Sequence, residues 1–307
     1  MAHDPSDLEG TVSWRELLAE TERRLAAADP ESVEVSDARV EARWIVEEAS
    51  GIEGSELEPG LDDLATVGGV SRLDAMVGRR LAGEPIQYVL GRWAFRTLDL
   101  LCDARVLIPR PETEQVVGHA LDVLDRVLLA RPEGHRAVAV DLGAGSGAIG
   151  LSLAVERPGT EVWLVDRSAD AVAVSRANLA GLGMAGSRVQ VLEGSWFDPL
   201  PAELRGRVDL VVSNPPYIAA SEKLPASVVD WEPNVALVSG KSGLESYETI
   251  LGEVGRWLAD DGALVLEIGS TQADAIVQLA VQAGFGGVEV IDDHAGLPRT
   301  VVASLSG

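Results

Sequence analysis

Apolar residues recur at helical spacing along the N-terminal part of the chain. Trp14, Leu17, Leu18, Thr21 and Leu25 form one stripe, and Ala38, Ala42, Ile45, Val46 and Ala49 form a second. Ser36 and Asp37 are candidate caps ahead of the second stripe, and Gly51 is its stop. Leu73, Met76, Val77, Arg80 and Leu81 predict a further helix ending at Gly83, with Pro59, Gly60, Gly68 and Gly69 in the loops between. A small helical bundle is therefore expected over residues 1–85, beginning with a frayed tail at 1–10.

The pattern changes over residues 86–108. Val89, Leu90, Trp93, Phe95, Leu98, Leu100, Val106 and Ile108 lie among Gly91 and Asp103, which reads as a β-hairpin or a pair of short strands linking two domains. Pro109-Arg110-Pro111-Glu112-Thr113-Glu114 then opens a helix running to about Ala130. Proline suits the first turn because its missing N–H would have no partner there, and the acids suit the positive end of the helix dipole. From residue 137 strands and helices alternate. Strands are predicted at 137–141, 161–166, 188–192, 208–213, 262–268, 286–291 and 299–305, and helices at 147–156, 168–180, 244–259 and 271–283. Such alternation predicts an α/β domain over 109–307, a mostly parallel sheet covered on both faces. Ligands then bind outside the carboxyl ends of the strands, near the topological switch point.

Composition narrows the class. With 307 residues, 46% hydrophobic and 24% charged, the chain can build its cores without metal or disulfide staples. The single cysteine, Cys102, permits no intrachain disulfide and reads as a packing residue rather than a catalytic thiol. His3, His119, His135 and His294 are scattered, with no zinc-like spacing, so no metal is expected. The first ten residues are polar and acidic, unlike a secretory signal, and no stretch of about 18 apolar residues could span a membrane. These features predict a cytoplasmic protein. The formal net charge is −24, so phosphate backbones are repelled and no stable nucleic-acid binding is expected. A basic protein partner or a neutral small substrate fits better. Up to Glu84 there are 8 basic and 20 acidic residues, so about half of the excess negative charge falls in the bundle.

The candidate chemistry sits at the ends of the predicted strands. Residues 137–140 run into Asp141-Leu142-Gly143-Ala144-Gly145-Ser146-Gly147 and then a helix. Alternate glycines let the backbone turn tightly and approach a ligand where a Cβ would clash, and the helix start offers unpaired N–H groups. The next strand ends in Asp166, whose carboxylate can accept hydrogen bonds from both hydroxyls of an adenosine ribose. Gly143, Gly145 and Ala148 equally satisfy the dinucleotide fingerprint, so loop and acid alone leave the cofactor open.

The segment Asn214-Pro215-Pro216-Tyr217, directly after the strand at 208–213, decides between them. Two prolines cannot continue a central strand, and they hold the backbone rigid at the sheet's edge. The Pro215 carbonyl and the Asn214 side-chain oxygen are then two acceptors of fixed geometry, able to grip both hydrogens of an NH2 group. An amide nitrogen is a poor nucleophile because its lone pair is delocalised. Accepting hydrogen bonds from both its N–H groups raises electron density on nitrogen and aims the lone pair. Positioning contributes more, up to roughly 7–11 kcal/mol in well-oriented intramolecular reactions. Tyr217 offers a flat face to a planar group. A Pro-Pro turn that merely caps a strand is the bland alternative.

Taken together, these residues resemble the HemK-type peptide-chain release factor glutamine methyltransferases. The resemblance covers most of 83–305 and rests on Gly83-Glu84-Pro85-Ile86-Gln87-Tyr88, Ile108 through Glu114, Asp141 through Gly147, Asp166, Gly194-Ser195-Trp196-Phe197, Asn214 through Tyr217, Glu232-Pro233, and the tail from Asp292-Asp293 to Arg299. It implies a helical bundle, a β-hairpin linker and a seven-stranded, Rossmann-like class I methyltransferase domain. It implies that Gly143, Ala144, Gly145, Ser146, Gly147 and Asp166 hold S-adenosyl-L-methionine, with Trp196 against the adenine and Asn214 touching cofactor and substrate. Asn214, Pro215, Pro216 and Tyr217 would hold the substrate amide, with Asn214, Pro215 and Tyr217 catalytic. The implied substrate is the glutamine of the Gly-Gly-Gln loop of class 1 release factors, the implied process is translation termination, and the bundle would help bind the factor. Trp231 stands where the family pattern suggests Phe, which keeps an aromatic residue.

Other readings share parts of this pattern. A glutamine methyltransferase acting on a ribosomal protein would share the glycine loop and Asn-Pro-Pro-Tyr, while the Ile-Pro-Arg-Pro-Glu-Thr-Glu run favours the release-factor branch. An adenine or guanine amine methyltransferase is disfavoured by the charge of −24. A nicotinamide dehydrogenase would leave 214–217 unexplained. Arg110 and Glu112 are open between pairing at a helix start and closing over the site.

Overall fold

The computed structural model describes residues 12–29, 33, 35–132 and 134–305, and the tail expected at 1–10 lies outside them. The chain forms two compact units, one of residues 1–92 with 225–231, the other of 93–224 with 232–307.

In the first unit, α1 (Trp14–Ala26), α2 (Ala38–Ser50), α3 (Leu57–Gly60), α4 (Val67–Leu81) and α5 (Ile86–Leu90) precede the hairpin. The helix ends are chemically marked. Ser13 and Glu16 form a reciprocal capping box at α1, the Asp37 side chain accepts from the Arg39 and Val40 N–H groups at α2, and Gly51 ends α2 at φ 72°. Asp37 and Gly51 thus act as the sequence predicts, whereas Ser36 donates to Glu41 instead of capping. Gly68 and Gly69, expected in a loop, lie in the first turn of α4. A Cβ on Gly69 would come within 2.8 Å of the Trp14 ring, so glycine permits the close approach of α1 to α4. Arg80, read as part of an apolar stripe, is 4% exposed because its guanidinium pairs with the buried Glu41 carboxylate at 2.7 Å.

Residues 86–90 also differ from expectation. Pro85 and the left-handed Gly91 (φ 74°) bracket the single helical turn of α5 where a strand was predicted. The hairpin is confined to β1 (Arg92–Phe95) and β2 (Leu98–Leu101), and Val106 and Ile108 lie beyond it in irregular backbone.

The second unit continues with α6 (Pro111–Ala130), β3 (Ala137–Leu142), α7 (Ala148–Glu156), β4 (Thr160–Asp166), α8 (Ala169–Ala180), β5 (Val189–Glu193) and β6 (Val208–Ser213). The short α9 (Ala226–Val229) belongs to the first unit, and α10 (Glu245–Val254), β7 (Leu258–Glu267), α11 (Ala273–Gln282), β8 (Gly287–Asp292) and β9 (Pro298–Ser304) complete the second. The seven strands run in the order β5-β4-β3-β6-β7-β9-β8. All neighbours from β5 to β7 are parallel, and β9 is antiparallel to both β7 and β8. All seven predicted strands form, and α10 stops five residues short of its predicted end because β7 begins at Leu258.

The sheet is buried on both faces. Leu210, Val212, Ala263 and Val265 join α6 and α7 in one core, whereas Val211, Leu264 and Leu266 join α10 and α11 in the other. This strict alternation fixes the strand register, since a one-residue slip would exchange the two faces. Strand order reverses between β3 and β6, so the carboxyl ends of these neighbours open a crevice.

Candidate active site

Two turns leave the sheet at that crevice, because Leu142 and Ser213 are paired at the ends of β3 and β6. After β3, Gly143, Gly145 and Gly147 take φ values of 71°, 56° and 85°, which L side chains rarely adopt. Their environments differ. Gly143 and Gly145 are half-buried and line a cavity of about 280 Å³, while Ala144, Ser146 and Gly147 are buried beneath it and do not. A Cβ on Gly147 would lie 2.9 Å from Leu151 Cδ1, so this glycine serves packing. The Ser146 carbonyl accepts from Asn178 Nδ2 at 2.9 Å.

Asp166, at the end of β4, lines the same cavity. Its carboxylate accepts from the Gly145 N–H at 2.9 Å and the Ser168 N–H at 2.8 Å, leaving further lone pairs available. Burial raises its pKa, and these two N–H groups oppose the rise. Asp141, fully buried behind the turn, is pushed up to about 7 by burial against one hydrogen bond from the Gly150 N–H. Trp196 also lines the cavity, at φ 47°. A left-handed tryptophan costs about 1–3 kcal/mol and persists only where its surroundings demand it. Its ring reaches over Gly143, 3.9 Å from where a Cβ would stand.

After β6, Asn214 and Pro216 line the cavity, Pro215 is buried, and Tyr217 stands outside the lining. The glycine turn, Asp166, Trp196 and Asn214 therefore share one space. Asn214 donates through Nδ2 to the Thr113 hydroxyl at 3.3 Å. Among the described residues no donor engages Asn214 Oδ1 or the Pro215 carbonyl. The Tyr217 carbonyl accepts from Gln272 Nε2 at 2.9 Å, and its ring lies against Gly269, where a Cβ would be 3.4 Å away. Burial and the nearby Glu267 charge push the Tyr217 phenol up to about 12, so it stays neutral.

The roles of several neighbours escaped the sequence reading. Arg105-Val106-Leu107 and residues between Pro233 and Thr249 complete the cavity wall. Glu232 anchors that wall, accepting from Arg110 at 2.5 Å and from the Ile108 N–H at 3.2 Å. Arg110 is the N-cap residue of α6, but its side chain ties two loops instead of capping the helix. Thr113, inside the same run, donates to Glu267 at 2.6 Å. Arg299, from the tail segment, is held by Asp293 at 3.3 Å. Both motifs, at 108–114 and 232–233, stood in the sequence, but their contact did not.

The cavity suits a nucleoside-bearing ligand: two side-chain-free positions permit close approach, a carboxylate waits at a strand tip, and an aromatic ring covers them. Among the described residues no helix is long and apolar enough to cross a membrane.

Comparisons with known proteins identify the family. Residues 16–91 match the family described as the PrmC N-terminal domain, and residues 117–230 match the methyltransferase small domain. A release factor glutamine methyltransferase from Moorella thermoacetica is 38% identical over 296 residues, covering 95% of this chain and 98% of that protein. One from Bifidobacterium longum is 36% identical over 275 residues, covering 86% and 91%. Among solved structures, the hMettl16 catalytic domain in complex with a 3'UTR hairpin superposes with a TM-score of 0.50 at 14% identity, covering 78% of this chain and 82% of that one, a likeness of fold alone. Family membership implies use of S-adenosylmethionine, and the fold is that of a class I methyltransferase. With near full-length relatives at this identity, the chain belongs to the release factor glutamine methyltransferase family.

Proposed function

We propose that the protein transfers a methyl group from S-adenosyl-L-methionine to the side-chain amide nitrogen of the glutamine in the Gly-Gly-Gln loop of class 1 release factors, and so modulates translation termination. When bound, the cofactor supplies an electrophilic methyl carbon on a sulfonium. Gly143 and Gly145 would admit it closely, Asp166 would accept from its ribose, and Trp196 would cover its base. Ala144, Ser146 and Gly147 support the turn from beneath.

The protein's own part in the chemistry is positioning. Asn214 Oδ1 and the Pro215 carbonyl accept the two amide hydrogens, which enriches the nitrogen and directs its lone pair. Pro216 fixes the backbone, and Tyr217, held by Gln272 and Gly269, supports the planar group. The two acceptors hold both amide protons while the nitrogen gains the methyl and S-adenosyl-L-homocysteine is released, and one proton then passes to solvent. The observation carrying this reading is that Asn214, its Oδ1 unengaged, lines at the tip of β6 the same cavity as Gly143, Gly145 and Asp166.

We assign protein recognition to the bundle at 1–85, linkage to 86–108 and catalysis to 109–307. The net charge of −24 favours a basic protein partner over nucleic acid. The test is incubation with labelled S-adenosylmethionine and, separately, a release factor, ribosomal proteins and DNA, with mass spectrometry to locate the methyl. The expected product carries it on the Gly-Gly-Gln glutamine. Label in ribosomal protein or DNA with none in the factor refutes the proposal.

A further inference from the structure

An asparagine amide is nearly symmetric in shape, and only its hydrogen-bond partners decide which end faces a substrate. Glutamine methylation, as proposed above, needs the oxygen of Asn214 toward the incoming NH2, because the nitrogen end would present donors to donors. The partner on the protein side is the Thr113 hydroxyl, 3.3 Å from Asn214 Nδ2. A hydroxyl can either accept from an amide nitrogen or donate to an amide oxygen, so Thr113 alone would permit both orientations.

Glu267 removes that freedom. Its Oε2 lies 2.6 Å from Thr113 Oγ1, and an ionised carboxylate can only accept. The one hydroxyl hydrogen is thereby committed to Glu267, and Thr113 turns a lone pair to Asn214. Both residues are buried, Thr113 at 4% and Glu267 at 1% exposure. Glu267 Oε1 has no hydrogen-bond partner among the described residues. A carboxylate buried with a single hydrogen bond is costly, and a bare structural link would be served as well by a neutral residue.

We propose that Thr113 and Glu267 are positioning residues for methyl transfer: their hydrogen-bond relay sets the Asn214 amide with Oδ1 toward the substrate. The proposal rests on the glutamine-methylating reading above. It also gives a role to the 108–114 run beyond tethering Glu232, and to Arg299.

The relay depends on the charge of Glu267. Burial raises its pKa to about 7, the Thr113 hydroxyl opposes the rise, Glu112 adds to it, and Arg299 and Arg110 oppose it. Tyr217 and Tyr247 complete its surroundings, both neutral, with the Tyr247 hydroxyl donating to the Glu267 carbonyl at 3.0 Å. Once Glu267 is protonated, its own hydrogen can go to Thr113, whose hydrogen is then released toward Asn214. The amide then gains an equally good reversed orientation. Turnover should therefore rise with pH through an ionisation near 7 and level off above it.

The test compares wild-type protein with T113V, T113S and E267Q, using release factor over a range of cofactor concentrations up to saturation and mass spectrometry to confirm the methylated glutamine. T113V, of matching shape, should lose about 10- to 100-fold in kcat with the cofactor KM unchanged. T113S should restore most of it. The acid limb should vanish in T113V and E267Q. The Asn214 side-chain NH2 resonances should titrate near pH 7 in the wild type and stay flat in T113V, a readout independent of turnover. Unaltered kcat in T113V, T113S as impaired as T113V, or an acid limb that survives in T113V overturns the proposal. If T113V fails to fold, wild-type Asn214 resonances indifferent to pH overturn it. Absence of wild-type glutamine methylation refutes the functional reading, and the relay with it. Normal wild-type activity with an unaffected T113V refutes the relay alone.

Discussion

The turns after β3 and β6 leave neighbouring parallel strands at paired positions, yet they are built by opposite means. The first removes side chains. Gly143 and Gly145 expose backbone to the cavity, and left-handed φ angles carry the chain into α7. The second removes donors. Pro215 and Pro216 have no N–H, so what the turn presents is oxygen: the Pro215 carbonyl and Asn214 Oδ1. One edge of the crevice is permissive and close-fitting, and the other is rigid and accepting. Each has a buried carboxyl behind it, Asp141 at the first and Glu267 at the second, both raised to about 7 by burial. Asp141 is bonded to the backbone N–H of Gly150, whereas Glu267 is bonded to a hydroxyl that can reverse. A buried carboxyl is a fixed strut at one turn and, in the relay proposed above, an orienting device at the other.

Substitutions can separate the two designs. Asn214→Ala removes an acceptor without touching the glycine turn. Turnover on release factor should fall about 100- to 1000-fold while cofactor binding, followed by calorimetry, weakens modestly. Full activity would erase the contrast. Gly147→Ala strikes the other turn at its packed side. With φ at 85° and Leu151 Cδ1 2.9 Å from the new Cβ, it should cost about 2–3 kcal/mol in urea denaturation. An unchanged midpoint would show that the turn relaxes freely. Asp166→Ala should raise the cofactor dissociation constant about tenfold, with kcat at saturation little changed. Equal losses in both parameters would mean that the turns are not separable in function.

Much of this was legible in the chain. Val208–Ser213 and its neighbours read as strands because each is a short apolar run bounded by breakers, and the glycine and proline punctuation after them marked the crevice. The misreadings have physical causes. Ile86, Tyr88 and Val89 favour strands by residue type, but between Pro85 and the left-handed Gly91 they close a helical turn, and tertiary context overrides propensity. Gly68 and Gly69 looked like a loop, and the reason for Gly69 lies across the unit, in the Trp14 ring. The relay was invisible for a similar reason. Thr113 lies 101 residues from Asn214 and 154 from Glu267, separations at which no local pattern carries information. Neither the left-handed Trp196 nor the roof supplied by residues 233–249 leaves a local mark.

Cys102 is wholly enclosed, and burial pushes its thiol up to about 12. Thiolate is the reactive form, so at neutral pH this sulfur resists alkylating agents and oxidants alike. As the chain holds no other cysteine, the native protein is a silent background for site-directed labelling. A cysteine introduced at a chosen surface position would take a fluorophore or spin label by itself, with no native thiol to engineer away first.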